Sequence, residues 1–497
     1  MHDDSDYYPS NLTSNNVSFD TFPDIALTPV NSMEYSNFDI LLEFDEESIK
    51  SEESIESEED EPVTIIDSFT EDEVFEIINT IYGLFDDYYE NNIISISSPT
   101  YYKGVIENAV FILYTEWLVF NVCDEDDIED IKYFVEQIHE EYIDIISPDI
   151  PERSSKYITY KLPQVEESIN KELSVQIDWI TNQPQPVQRS EEWYKFRNSL
   201  LTASNLWKAL GSQAQQNSLI FEKCNSINNP DNYYHGAGVG TPMHWGVRYE
   251  PVTIMIYEDM YQTKIGEFGC IRHPEYNYIG ASPDGINILE SSIKYGNMLE
   301  IKNIVNREIT GIPKEEYWIQ TQIQMETCGL EKCDFVETRI KEYDNEEDLY
   351  LNTYKSDYRG VVLYFIKNDF TKNEEPYYVY MPLNIELMKE SVDNWIENEK
   401  EKLKDEYVLY NRLYWYLDEI SCVLIQRNRK WFNKALPRFN EIWKTIEEEK
   451  DKGYEHRAPK KRIPKIQINV DDVSGVHSIS NLPDTKSICL IKLDSSN

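Results

Sequence analysis

Apolar residues recur at helical spacing in two stretches of the first third of the chain. In "EDEVFEIINTIYGLFDDYY", Val74, Ile77, Ile78, Ile81 and Leu84 fall on one face, and "VIENAVFILYTEWLVFNV" carries a comparable stripe, so a helical accessory domain is predicted over residues 63–146. Residues 147–187, punctuated by "SPDIPERSS" and "TNQPQPV", read as a connecting segment with one helix. The texture then changes. A helix "SEEWYKFRNSLLTASNLWKAL", a polar loop to residue 240 and a helix from Pro242 to Met260 lead into "KIGEFGCIRHPEYNYIGASPDGINI". Its alternation, broken by His-Pro and Pro-Asp-Gly, predicts a meander of strands. A strand "NMLEIKN", a helix from Lys314 to Cys328 and a strand "CDFVETRI" follow, and "GVVLYFIKN" and "PYYVYMPL" extend the sheet. This order predicts an α/β fold, a mixed sheet flanked by helices, over residues 188–383. Residues 384–449, dense in aromatics ("LYNRLYWYLDEI", "RKWFNKALPRFNEIWKTI"), are expected to form long helices, and 450–497 an irregular tail with a short basic run.

Charge divides the chain differently. Residues 1–62, ending in "DEESIKSEESIESEEDEP", hold too little apolar surface to fold alone and read as a disordered acidic tail. The formal net charge is −46, and residues 1–187 alone hold 44 Asp+Glu against 7 Lys+Arg. Residues 188–341 hold 19 against 15, so the predicted sheet domain is near neutral. Such a balance argues against a protein that coats nucleic acid by charge alone, and it leaves room for an enzyme with a local basic groove. No apolar run approaches the length of a spanning helix and the N-terminus lacks a signal pattern, so a soluble, intracellular protein that is not secreted is expected. The seven cysteines are scattered and never spaced C-x-x-C, which fits a reducing compartment.

The stretch "YIGASPDGINILESSIKYGNMLEIKN" carries the candidate chemistry. Strand alternation puts Glu300 and Lys302 on one face and Ile301 on the other, and Asp284 ends a neighbouring strand. Two carboxylates brought together repel unless a divalent cation lies between them, and such oxygen ligands suit Mg2+ or Mn2+. Lys302 could then hold an attacking water and offset charge on phosphorus, which makes phosphodiester hydrolysis the natural reaction. The competing reading is a plain Pro-Asp-Gly turn followed by a solvated strand. Tyr317, Gln320 and Gln324 share a helix face that could look into a cleft or into solvent. Arg197 could serve a phosphate through its planar fork or pair with Glu191 or Glu192.

Five segments in order, "QRSEEWYKFRNSLLTAS", "WGVRYE", "GASPDG", "LEIK" and "YWIQTQIQMETCG", resemble the phage lambda exonuclease and YqaJ viral recombinase family of the PD-(D/E)XK nuclease superfamily. The resemblance covers residues 186–340 and implies a restriction-endonuclease-like core with helical N- and C-terminal additions. It implies Asp284 and Glu300 as metal carboxylates, the Ile301 carbonyl as a further ligand, Lys302 as the catalytic lysine and Glu250 as reaching a second ion. Gln320 would orient the nucleophilic water, and Arg197 and Ser204 would grip a DNA 5′-phosphate. One or two Mg2+ ions, with Mn2+ as a substitute, would be the cofactor. The expected activity is 5′-to-3′ exonuclease action on double-stranded DNA, in viral recombination, replication or repair. A non-catalytic DNA-binding or virion protein on the same scaffold and an endonuclease are the alternatives. The resemblance further implies a single-strand annealing or recombination protein as partner, a homo-oligomer, and the viral factory or nucleus of a host as the place of action. The sequence departs from the phage pattern in the longer span between Asp284 and Glu300, read as a larger hairpin "ILESSIKYGN", and in both flanks.

Overall fold

A computed structural model describes residues 64–156, 167–188, 190–225, 241–368 and 376–459. The acidic tail, the loop tip before Thr241 and the basic run beyond Pro459 lie outside the described residues. The first three helices are α1 (Glu71–Asn92), α2 (Tyr101–Val119) and α3 (Ile128–Ile146). Thr70 starts α1 through a reciprocal capping box with Glu73, which satisfies two otherwise orphaned N–H groups. Where the three helices meet, Phe85, Tyr89, Tyr101 and Tyr142 pack around His139. The helices predicted over 63–146 are present, and they share one continuous core with the elements that follow. Trp431 donates to the Ile94 carbonyl at 3.1 Å, and buried Arg153 donates to the carbonyls of Ser97 and Pro313.

The chain continues through β1 (Ser155–Lys156), α4 (Glu167–Thr181), α5 (Glu191–Asn198), β2 (Leu201–Thr202), α6 (Ala203–Leu206), α7 (Gln213–Cys224) and α8 (Pro242–Tyr261). The expected meander is split between two sheets. β3 (Ile265–Gly266) and β6 (Gly285–Asn287) belong to the main sheet, while β4 (Ile271–Arg272) and β5 (Ile279–Ala281) join β2 in a small one. Then come β7 (Met298–Asn303), α9 (Glu315–Cys328), β8 (Lys332–Glu342), α10 (Glu346–Leu351), β9 (Arg359–Lys367) and β10 (Tyr377–Tyr380). β7 and β8 are parallel with α9 as the crossover, and α9 ends at Gly329, whose φ of 62° suits a residue without Cβ.

The segment expected to be long helices departs from that expectation. After α11 (Lys389–Leu403), residues 407–426 form a single strand, β11 (Tyr407–Gln426), before α12 (Arg429–Lys452). The main sheet runs β10-β9-β11-β8-β7-β6-β3, with β1 also paired to β11. β11 thus lies inside the sheet, pairing β9 with its first half and β8 with its second. Its neighbours on both faces bury alternate residues, Leu413 and Trp415 on one side and Tyr416 on the other. From Leu413 to Leu417, where both faces are covered, the period of two disappears from the sequence, and a run rich in Tyr, Trp and Leu then mimics a helix. No described helix is long and apolar enough to cross a membrane.

Two buried histidines make this body acid-sensitive. Burial pushes the imidazoles of His139 and His273 down to about 4. His273 accepts the N–H groups of Glu275 and Tyr276 on Nδ1, each at 3.1 Å, and stacks on Phe432, so it is held neutral. A base whose folded pKa is depressed stabilises fully above its ordinary value and loses that contribution as pH falls toward the folded one. The window therefore opens below about 6.5 and closes near 4. Thermal melts from pH 7 to 4.5 should show wild type losing stability faster than His139→Gln, by roughly 1 kcal/mol per pH unit within the window.

Candidate active site

β7 leaves the reverse side of the sheet with Leu299 and Ile301 packed on α8, so Glu300 and Lys302 face α9. Glu300 is 0 % exposed and acts as the hub. Its Oε1 accepts from the Lys302 ammonium and, at 2.7 Å, from Gln320 Nε2. Its Oε2 accepts from Gln324 Nε2 at 2.7 Å, and the same amide donates to the Ser282 carbonyl at 3.1 Å. Gln320 and Gln324 stand one turn apart on α9, as does Tyr317, whose ring lies 5.0 Å from the Lys302 ammonium. The polar stripe therefore faces the carboxylate, and the solvated-strand reading of Glu300 does not hold.

Asp284 sits between β5 and β6, where its Oδ2 accepts the Ile301 N–H at 2.7 Å. Burial raises its carboxyl well above the ordinary range, and Glu300 and Glu250 raise it further. Lys302 and the Ile301 N–H oppose this without cancelling it. Burial also disfavours the Lys302 charge, but Glu300 and Asp284 outweigh it and hold the ammonium above its ordinary value. Asp284, Glu300, Lys302 and Gln320 are thus brought together, and Glu250, on α8, is near enough to Asp284 to raise its carboxyl.

Among the described residues no group of three or more His, Cys, Asp or Glu side chains stands in metal-binding arrangement. The reason is visible in the contacts: Lys302 draws Glu300, and the Ile301 N–H draws Asp284, so each carboxylate is turned to its own donor. The chemistry of the set still fits a hard divalent cation. Glu300 and Glu250 oppose the ionisation of Asp284, the excess charge is negative, and all the donors are oxygens.

Arg197, in the last turn of α5, stands beside this group. α5 runs into β2, which pairs in parallel with β5 through Leu201 and Ile279, and β5 leads to Ser282 and Asp284. Arg197 lies over the Trp193 ring at 4.6 Å and donates to the Ser282 hydroxyl at 3.4 Å. Glu191 instead takes Lys195. Ser204, at the start of α6, is exposed and its hydroxyl meets Thr202 at 3.4 Å rather than Arg197. Ser282 and the role of Gln324 were not singled out from the sequence. The signal for Ser282 was its place two residues before Asp284, and for Gln324 the helical interval from Gln320.

Residues 192–331 match the family described as YqaJ-like viral recombinase domain. An uncharacterized protein, R354, of Acanthamoeba polyphaga mimivirus is 26% identical over 311 residues, covering 54% of this chain and 54% of that protein. The chain therefore spans about half the length of the curated relative it matches. Two crystal structures of LHK-Exo, an alkaline exonuclease from Laribacter hongkongensis, one of them in complex with dAMP, are 19% identical to it. Each aligns over 53% of this chain and 95% of its own, with TM-scores of 0.30 and 0.31.

Proposed function

From the premise that residues 192–331 form a YqaJ-like viral recombinase domain, we propose that the chain is a metal-dependent DNA nuclease that hydrolyses phosphodiester bonds of duplex DNA from a 5′ end. The observation that carries this reading is the buried Glu300 carboxylate, held by Lys302, Gln320 and Gln324 beside a second acid, Asp284. A structural ion pair would need neither the second acid nor two glutamines. Asp284, Glu300, the Ile301 carbonyl and Glu250 would hold Mg2+ or Mn2+, which supplies Lewis-acid polarisation of the phosphate when bound. Glu300 and Asp284 favour the charged form of Lys302, which would face the negative charge growing on the phosphate oxygens and help hold the attacking water. Gln320 spends its amide nitrogen on Glu300, which leaves its carbonyl oxygen to accept from the attacking water and fix its direction. Arg197, which donates to Ser282, would hold a strand's terminal phosphate. A recombination or annealing protein that takes up the remaining single strand would be the partner.

The test is digestion of linear duplex DNA with and without a 5′-phosphate, beside a covalently closed circle, each in Mg2+ and in EDTA. Loss of the linear 5′-phosphorylated duplex alone, and only with metal, is expected. Cutting of the circle would replace end recognition by an endonuclease reading of the same site. Affinity for DNA with no hydrolysis in Mg2+ or Mn2+ would overturn the enzyme and leave a binding scaffold.

A further inference from the structure

Arg153 lies outside the family-matched residues 192–331, yet it is fastened to the helix that carries Gln320 and Gln324. It is 3 % exposed. Its guanidinium donates to the Ser97 carbonyl from Nε at 3.3 Å and from Nη2 at 2.8 Å, and Nη2 donates again to the Pro313 carbonyl at 2.6 Å. Ser97 closes the 3-10 turn Ile93–Ser97 between α1 and α2, and Pro313 lies two residues before α9. The Arg153 carbonyl accepts the Trp318 indole N–H at 2.7 Å, and the Arg153 N–H donates to the Tyr102 hydroxyl on α2, also at 2.7 Å. The Ser97 hydroxyl reaches Glu315, the first residue of α9, at 3.1 Å. Trp318 meets Trp431 edge-on at 5.2 Å, and that second indole is the one bonded to Ile94. Burial lowers the Arg153 pKa to about 10, against Tyr102 and Glu315, which favour its charge, so the guanidinium is charged at neutral pH.

Residues two apart on a helix point in nearly opposite directions. Trp318 is therefore turned to the N-terminal helices while Gln320 is turned to Glu300, and α9 is held between them. A guanidinium fork can join carbonyls of two elements, whereas a lysine ammonium on its flexible stem fixes neither direction. We propose that Arg153 is a positioning residue of the active site: it fastens the start of α9 to the N-terminal helices and so sets Tyr317 and Gln320 against Lys302 and Glu300. The helices before residue 147 then belong to the machinery of the site rather than to a separable appendage. A displacement of about 1 Å at a group that orients a reacting water costs on the order of a hundredfold in rate, so a remote fastening reaches the chemistry. The inference rests on the nuclease reading only for the reaction that α9 serves. The opposing role is stability alone, which predicts a lower melting temperature and unchanged turnover by the folded protein.

The test compares the full chain as wild type, Arg153→Lys, Gln320→Ala and the double variant. Amide hydrogen exchange reads the fastening itself. Peptides from residues 315–324 should exchange at least about tenfold faster in Arg153→Lys, and those of β7 and β8 at the wild-type rate. Digestion of linear duplex in Mg2+, well below the melting temperature of each protein, reads the consequence. Arg153→Lys should lower kcat by about tenfold or more with KM for DNA unchanged. In the Gln320→Ala background the same substitution should cost less than about threefold, because it acts through the residue already removed. Unchanged exchange in α9, a rise shared equally by β7 and β8, an equal kcat factor in both backgrounds, or a loss confined to KM overturns the positioning role. Wild type that digests no DNA in Mg2+ sinks the nuclease reading, and exchange alone then decides the fastening: a rise confined to α9 upholds it and unchanged exchange overturns it.

Discussion

Asp284→Asn is expected to abolish magnesium-dependent digestion of linear duplex DNA, by about a thousandfold or more, while raising the melting temperature of the metal-free protein. Asparagine keeps the oxygen that accepts the Ile301 N–H and removes the charge that Glu300 and Glu250 oppose. A loss of roughly 4 kcal/mol of transition-state stabilisation corresponds to a thousandfold in rate, within what a metal-held phosphate is worth. The stability change has the opposite sign. The folded carboxyl is raised above its unfolded value, so the wild-type chain is unpenalised below the ordinary carboxylate range and loses stability as pH rises through the raised value. The variant lacks that decline. The two proteins should melt together in acid and separate at neutral pH, with the variant melting higher. Mg2+ should then raise the melting temperature of wild type and not of the variant. An active Asp284→Asn enzyme, or an equal Mg2+ shift in both, would remove Asp284 from the metal site.

The parts of this site that the sequence makes legible are those governed by local geometry. Glu300 and Lys302 share a face because a strand alternates, and Gln320 and Gln324 share one because a helix turns every 3.6 residues. Arg197 and Ser282 are 85 positions apart and meet only because β2 pairs with β5, a pairing that two residues of strand do not announce. The same holds for β11. In its middle, from Leu413 to Leu417, both faces are covered, and there the alternation that would have marked it as a strand is absent from its sequence. Arg153 is hidden for another reason. An arginine in a connecting segment reads as a solvated charge, and only packing of the first helices against α9 turns it inward.

Lys294→Met should be strongly destabilising, costing about 3–5 kcal/mol, because it leaves the buried Asp334 carboxyl without its cation. The two side chains are 2 % and 0 % exposed and 2.8 Å apart. Burial disfavours the Lys294 charge and Asp334 offsets this only in part, while the Tyr261 ring lies 4.3 Å from the ammonium. Asp334 also accepts from Tyr257 and, at 3.2 Å, from Asn297. Lys294 belongs to the long hairpin between Asp284 and Glu300, and Asp334 lies on β8 opposite Leu299. The pair therefore fastens the hairpin to the sheet one residue from Glu300. Replacing both partners, Lys294→Met with Asp334→Leu, should recover most of the lost stability, since apolar residues tolerate the interior that a lone carboxylate does not. Activity should not recover with it, because Asp334 also orders Asn297 and Tyr257 behind β7. Chemical denaturation of the single and double variants measures the first claim and digestion of linear duplex the second. A Lys294→Met cost below about 1 kcal/mol would mean that solvent reaches Asp334 and that the hairpin is held by its backbone alone.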